Sequence, residues 1–243
     1  MLPRLPPAPP PSPPTPAPAS TSPPGGLYVG YYAEDPATNP EDPTLGAFSL
    51  NLPNSNGSFS GSMFFTYVGC QTSNVGVVSG TKSDSALSGM WSGTIDGFAQ
   101  SGSYSGTFDA ALLSYQGVYT NSAGKQYRDL RPCIEYYIAA NGRWEMFPID
   151  ARVPASFSPT VGGRTITWTA VSGAAQTLVY VLDPIVAQSS GNPVVWQSLF
   201  GPVVSASVPV SIPLQAGKEY VAVVSIANAA GARLAFGSRR FTP

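Results

Sequence analysis

One pattern constrains this chain more than any other: glycine, any residue, an aromatic, any residue, glycine. It occurs four times, as Gly26-Leu27-Tyr28-Val29-Gly30, Gly57-Ser58-Phe59-Ser60-Gly61, Gly89-Met90-Trp91-Ser92-Gly93 and Gly102-Ser103-Tyr104-Ser105-Gly106. Alternate residues of a β-strand share a face, so each ring is predicted to lie between two glycines on one side of a sheet. A glycine beside a ring leaves room for it, or lets a closing sheet bend sharply. The pattern therefore predicts a small, strongly curved antiparallel β-domain.

Turn signals divide residues 25–150 accordingly. Pro53-Asn54-Ser55-Asn56, Asp96-Gly97, Asn121-Ser122-Ala123-Gly124 and Asn141-Gly142 separate candidate strands near 27–32, 46–52, 57–68, 75–81, 87–95, 101–109, 114–120, 133–139 and 142–147. Asn141-Gly142, between Tyr136-Tyr137-Ile138 and Trp144-Glu145-Met146-Phe147, reads as the strongest hairpin signal. Eight or nine strands at this spacing predict an up-and-down meander closed into a barrel, with a two-sheet sandwich as the alternative.

Composition narrows the chemistry. Charged residues make up 10% of the 243 and the net charge is −1, against a usual charged fraction of about 25%. Nothing in that balance favours nucleic acid or an anionic membrane surface. No apolar run approaches the roughly 18 residues of a spanning helix. The chain has no histidine, which removes Ser-His-Asp and Cys-His arrangements and zinc sites built on His. No cofactor is implied.

Residues 1–24 form a low-complexity tail in which 12 residues are proline, the composition of an extended polyproline spacer. A proline-rich spacer ahead of an all-β, Cys-poor domain resembles a mature bacterial envelope lipoprotein. The resemblance implies an N-terminal lipid anchor outside this sequence as the only membrane contact, and a location in the cell envelope, either periplasm or outer-membrane surface, or secretion. Cys70 and Cys133 then read as one disulfide, of roughly 4 kcal/mol on the chain-entropy picture, with two buried thiols as the alternative.

Residues 154–243 change character, with less glycine and more valine and alanine. Thr165-Ile166-Thr167-Trp168 reads as a strand with a buried Trp, and Leu178-Val179-Tyr180-Val181-Leu182 as the next. Leu214, Gly217 and Tyr220 precede Val221-Ala222-Val223-Val224-Ser225, a spacing similar to the tyrosine corner of fibronectin type III domains, and Ser238-Arg239-Arg240-Phe241 looks like their last strand. The resemblance implies a seven-strand sandwich. The predicted class is thus all-β: a barrel over 25–150 and a fibronectin type III-like sandwich over 154–243, joined by the short stretch 148–154.

Candidate site residues follow. Tyr28, Phe59, Trp91 and Tyr104 of the repeat either fill the barrel or stack on a ligand at its mouth. Tyr31-Tyr32 and Tyr136-Tyr137 place a ring on each face of a strand, so one of each pair should face outward as a contact residue. Glu34, Asp35, Glu41 and Asp42 read as a solvated acidic loop rather than a calcium site. Asp96 and Asp109 share a register and would suit a glycosidase pair, but both also fit turns. Ser79-Gly80-Thr81-Lys82 and Ser122-Ala123-Gly124-Lys125 match Ser-x-x-Lys outside its structural context. The expected function is a non-catalytic envelope module for binding, adhesion or scaffolding, with a protein or glycan partner. The alternatives are a lipocalin-like carrier of a small apolar ligand and a carbohydrate-active enzyme.

Overall fold

The computed structural model describes residues 23–35, 37–38, 45–67, 72–95, 98–122, 126–130, 133–137, 139–187 and 193–243. The tail up to Ser22, and Cys70 with it, lie outside the described residues, so the Cys70–Cys133 expectation does too.

Eight antiparallel strands close into a barrel: β1 (Gly26–Glu34), β2 (Leu45–Leu52), β3 (Gly57–Tyr67), β4 (Thr72–Ser83), β5 (Ala86–Ile95), β6 (Phe98–Asp109), β7 (Ser114–Asn121) and β10 (Ala140–Pro148). The order around the barrel is β1-β10-β7-β6-β5-β4-β3-β2, an up-and-down meander. Between β7 and β10 a separate hairpin, β8 (Gln126–Leu130) with β9 (Cys133–Tyr137), forms its own two-stranded sheet. The strand expected near 133–139 is therefore not a barrel strand.

Asn141-Gly142 is not a hairpin turn either. Both lie inside β10, paired with Thr120 and Tyr119 of β7. A Cβ on Gly142 would collide with the Tyr119 ring, so the glycine is there to seat that ring. Tertiary packing overrides the local turn preference.

The ring-and-glycine logic holds throughout the inner face. Trp91 lies opposite Gly102, Tyr104 opposite Gly89, Phe59 opposite Gly80 and Trp144 opposite Gly117. The side chains of Tyr104, Trp91 and Trp144 occupy the space a Cβ would take at Gly80, Gly102 and Gly106. Rings meet edge to face, as in Tyr28–Tyr115 at 5.7 Å and Phe108–Tyr115 at 5.1 Å. Tyr28, Phe48, Leu50, Leu52, Val78, Leu87, Tyr115, Trp144 and Met146 form the buried barrel core, with Tyr32, Phe59, Tyr104 and Tyr119 packed against it.

The second half is a sandwich. One sheet has the order β11 (Arg152–Val153), β18 (Arg233–Phe241), β17 (Tyr220–Ala227), β14 (Gln176–Leu182), β15 (Val194–Phe200). The other has β12 (Thr160–Gly162), β13 (Thr165–Thr167) and β16 (Ser205–Ser207). The irregular stretch after β14 contains one turn of helix, α1 (Pro184–Ala187), capped by Asp183, whose Oδ1 accepts from the N–H groups of Ile185 and Val186 at 3.0 and 3.2 Å. Burial pushes the Asp183 carboxyl up, but the Lys218 ammonium and those N–H groups hold it below the usual range.

Every residue of β17 is buried, and nearly all of β14. The cause is that the five-stranded sheet is covered on both faces. Val179, Val181, Ala222, Val224 and Ile226 face the three-stranded sheet and pack with Trp168 and Trp196. Leu178, Tyr180, Leu182, Val221, Val223 and Phe236 face the barrel and pack with Leu27, Val29, Tyr31, Ala47 and Phe147. The molecule is thus layered, barrel wall on sheet on sheet, with no hinge-like gap between barrel and sandwich.

Candidate functional site

The barrel interior is the first place to look for a ligand. Tyr28 is 0% exposed and Trp91 9%, and Tyr104 is half-buried with its hydroxyl donating to the Ser79 carbonyl at 3.2 Å. The indole N–H groups of Trp91 and Trp144 donate to the Thr120 and Val118 carbonyls, both at 3.0 Å. Burial pushes Tyr104 and Tyr115 up to about 12 and Tyr28 higher still. These rings fill the barrel; Tyr28, Trp91, Tyr104 and Trp144 spend their polar atoms on backbone carbonyls, whereas the Tyr115 and Tyr119 hydroxyls are buried without a partner among the described residues.

One end of the barrel is closed by an unexpected residue. Lys82, on the inner face of β4 and 2% exposed, donates from Nζ to the carbonyls of Pro23 at 3.0 Å and Pro53 at 2.8 Å. Burial holds its ammonium below the ordinary lysine value. Tyr28 donates to the Pro24 carbonyl at 2.7 Å, and Gly25 lies so close to Asn54 that a Cβ would clash with it. Pro23 and Pro24, which belong to the tail by composition, are thus fastened to the barrel floor. Ser79 faces outward and Lys82 inward, so the Ser-x-x-Lys pair never meets; Lys125 lies outside the described residues.

Tyr31 faces outward from the barrel, as expected of one member of its pair, but it is 5% exposed because the sandwich covers it. Its hydroxyl donates to Glu145 Oε2 at 2.8 Å, and burial followed by the Glu145 charge raises its pKa strongly. Glu145 also accepts from Arg233 Nε at 2.8 Å and from Ser114 Oγ at 3.0 Å, and Arg233 lies over the Phe147 ring at 5.3 Å. This is a satisfied polar cluster inside the barrel–sandwich junction, not an exposed contact surface. Tyr32 packs inside, edge to face with Tyr119 at 5.9 Å. Tyr136 and Tyr137 pair with Tyr127 and Gln126 in the separate hairpin, and their side chains lie outside the described residues.

Asp109 Oδ1 accepts from the N–H groups of Ala111 and Leu112 at 2.8 and 3.2 Å, which assigns it to the β6–β7 turn. Asp96 lies outside the described residues, between Ile95 and Phe98, which pair with each other. The expected pairing of Asp96 with Asp109 therefore lies outside the described residues. Asp35 Oδ1 accepts from the Ala37 N–H at 2.9 Å; Glu41 and Asp42 lie outside the described residues.

What remains is the outside of the barrel away from the sandwich. The described outward positions of β3 to β7 run Ser58, Ser60, Ser62; Val75, Val77, Ser79, Thr81, Ser83; Ala86, Ser88, Met90, Ser92, Thr94; Ala99, Ser101, Ser103, Ser105, Thr107, Asp109; Gln116, Val118, Thr120, with Ser114 of β7 buried in the junction instead. Among them the single charged residue is Asp109, at the strand end. Val77, Met90 and Val118 are 61, 55 and 60% exposed. A protein surface is ordinarily about a quarter to a third charged. This wall also inverts a membrane barrel, which carries an apolar band outside and polar groups within. The sequence displays these alternating hydroxyls openly; what it conceals is which face of each strand points outward, and the ring positions settle that.

Comparison with protein-family models, with curated proteins and with solved structures finds no match to this chain.

Proposed function

We propose that this chain is a non-catalytic, tethered binding or scaffolding module of the bacterial cell envelope, acting through the uncharged outer wall of its barrel. The observation that carries the reading is the pairing of a ring-filled interior with an exposed, hydroxyl-rich wall that bears bare valine and methionine side chains. A filled barrel leaves a small apolar ligand little room, which weighs against a carrier.

The fibronectin type III-like reading of 154–243 is supported by the sheet orders β15-β14-β17-β18 and β12-β13-β16. It is supported too by the Tyr220 hydroxyl, which accepts from the Gln215 N–H at 3.0 Å in the manner of a tyrosine corner. The envelope location rests on the proline-rich tail and on the expected Cys70–Cys133 bridge. Mass spectrometry of the chain with and without reductant, followed by alkylation, should find both thiols blocked until reduction; two alkylated thiols without reductant would remove that support.

The binding reading is tested by cosedimentation with isolated envelopes. The chain should be retained, and a variant carrying Val77→Lys and Ser103→Glu should be released while keeping its thermal midpoint. Equal behaviour of the two proteins would remove the wall from the function.

A further inference from the structure

The uncovered wall contains a concavity. Its floor is Ser92, Gly93 and Thr94 of β5, and its sides are Val75 to Val77 of β4 and Ala99 to Ser101 of β6, with a cavity volume of about 550 Å³. That volume lies within the range of small-ligand sites, roughly 300–1,000 Å³. The register makes the lining regular. Val77, Ser92 and Ser101 lie in one cross-strand row, Gly76, Gly93 and Gln100 in the next, and Thr94 and Ala99 in the third. Same-face rows repeat at roughly 6.6–6.8 Å along the strands, and neighbouring strands lie about 4.8 Å apart. The middle row, Gly76, Gly93 and Gln100, belongs to the inner face, so only its backbone lies between the outward rows of Val75, Thr94 and Ala99 and of Val77, Ser92 and Ser101.

Its chemistry selects the occupant. Among the described residues no charged side chain lines it, so an anionic or cationic ligand would give up hydration with no counter-charge from them in return. Val75 and Val77, 45 and 61% exposed, and Ala99 offer methyl groups to an apolar face. Ser92, Thr94 and Ser101 offer hydroxyls, each both donor and acceptor. A ligand that fits has apolar C–H faces, hydroxyl edges and no charge. We infer that this trough is a binding site for a neutral glycan strand, lying across β4, β5 and β6 with its C–H face on Val77 and its hydroxyl edge on Ser92 and Thr94. The inference rests on the binding-module reading above and names the partner class for it. The trough is open and no ring among the described side chains lines it, so a single site should bind weakly, with a Kd on the order of 1 mM.

The test is a nitrogen-15 NMR titration of the full chain with cello-, malto- and chito-oligosaccharides, and in parallel with oligogalacturonate as an acidic control. The expected result is saturable shifts from at least one neutral series, confined to amides of 75–77, 92–94 and 99–101, with none from the acidic series. Thr94→Lys, on an exposed strand position, should keep the thermal midpoint and weaken that binding at least tenfold. Silence from all neutral series, equal binding of the acidic one, or shifts mapping elsewhere would overturn the inference. Envelope cosedimentation separates the two levels. Retention that Thr94→Lys abolishes, without neutral-glycan binding, would make the trough a protein-docking surface and leave the module reading standing. Loss of both would end both. A concentration-dependent dimer in sedimentation equilibrium that Thr94→Lys dissolves would assign the wall to a second copy instead, against the glycan.

Discussion

One barrel carries two outer walls built to different rules. The wall of β1, β2 and β10 presents Leu27, Val29, Tyr31, Ala47 and Phe147, and the sandwich covers it. The wall of β3 to β7 presents serine and threonine with scattered valine and methionine, and apart from Ser114, buried at its edge against Glu145, its described outward residues are not buried. The inner faces of the two walls obey the same ring-and-glycine pattern. Closure of the barrel is therefore set from inside, which leaves the outside free to differ. The covered half can carry a buried carboxylate because Tyr31, Ser114 and Arg233 satisfy it. The uncovered half carries almost no charge, although water could solvate one there.

The contrast is broken most severely at its centre. Phe147 stacks on Phe236 at 3.9 Å between ring centroids. Phe147→Ala should cost about 3–5 kcal/mol by chemical denaturation, against less than about 0.5 kcal/mol for the wall variant Val77→Thr. Comparable costs at the two sites would deny that the walls differ energetically. Next comes the buried cluster. Glu145→Ala leaves the largely buried Arg233 unpaired and should cost about 3 kcal/mol or more, while Glu145→Leu with Arg233→Leu should recover most of it. A double-mutant cycle measures the coupling, and independence of the two sites would refute it.

The inner face is sharpened by two glycines. Gly102→Ala drives a Cβ into the Thr120 carbonyl and the Trp91 indole and should cost about 1–3 kcal/mol. Gly61→Ala meets nothing within 4 Å and should be close to neutral in the same thermal melts.

Alkaline pH probes the rings directly. Tyr104 and Tyr115 titrate at about 12 in the folded state, above the ordinary value of 10.0, and Tyr31 is raised further. The folded state keeps protons that the unfolded chain releases, so this stabilisation is complete below pH 10 and fades as pH climbs through the folded values. Each such tyrosine should remove up to about 1.4 kcal/mol per pH unit above 10. Tyrosinate absorbance should therefore lag behind a simple titration and rise together with loss of ellipticity. Tyr31→Phe should flatten the decline by one tyrosine's worth. A smooth titration at pH 10 with the fold intact would mean that the rings are solvated.

Where the sequence speaks locally, it reads well. Alternating glycine and ring is a period-2 signal, and the four repeats lie in β1, β3, β5 and β6 with their rings inside. Turn chemistry marks Pro53-Asn54-Ser55-Asn56 correctly. Asn141-Gly142 misleads because the same glycine that suits a turn also seats the Tyr119 ring, and only the third dimension decides. The runs Leu178–Leu182 and Tyr220–Ile226 carry a further signal. Continuous apolar strands are those buried on both faces, which foretells a cover on each side of that sheet. The identity of the cover is a long-range fact. Tyr31 looks like an exposed ring for that reason, and Lys82 has no neighbour in sequence that announces Pro23. The uncharged wall is legible as alternating serine, whereas its trough is a matter of curvature.

The fastening of Pro23 and Pro24 to Lys82 and Tyr28 bears on how the molecule takes mechanical stress. A pull on the chain upstream of Pro23 meets the lysine and tyrosine at the barrel floor before it reaches the ladder of β1. Tension then has to break the Lys82–Pro23 and Tyr28–Pro24 hydrogen bonds before it loads the first rungs of that strand. The rings above that floor stay shielded while the tail is drawn taut.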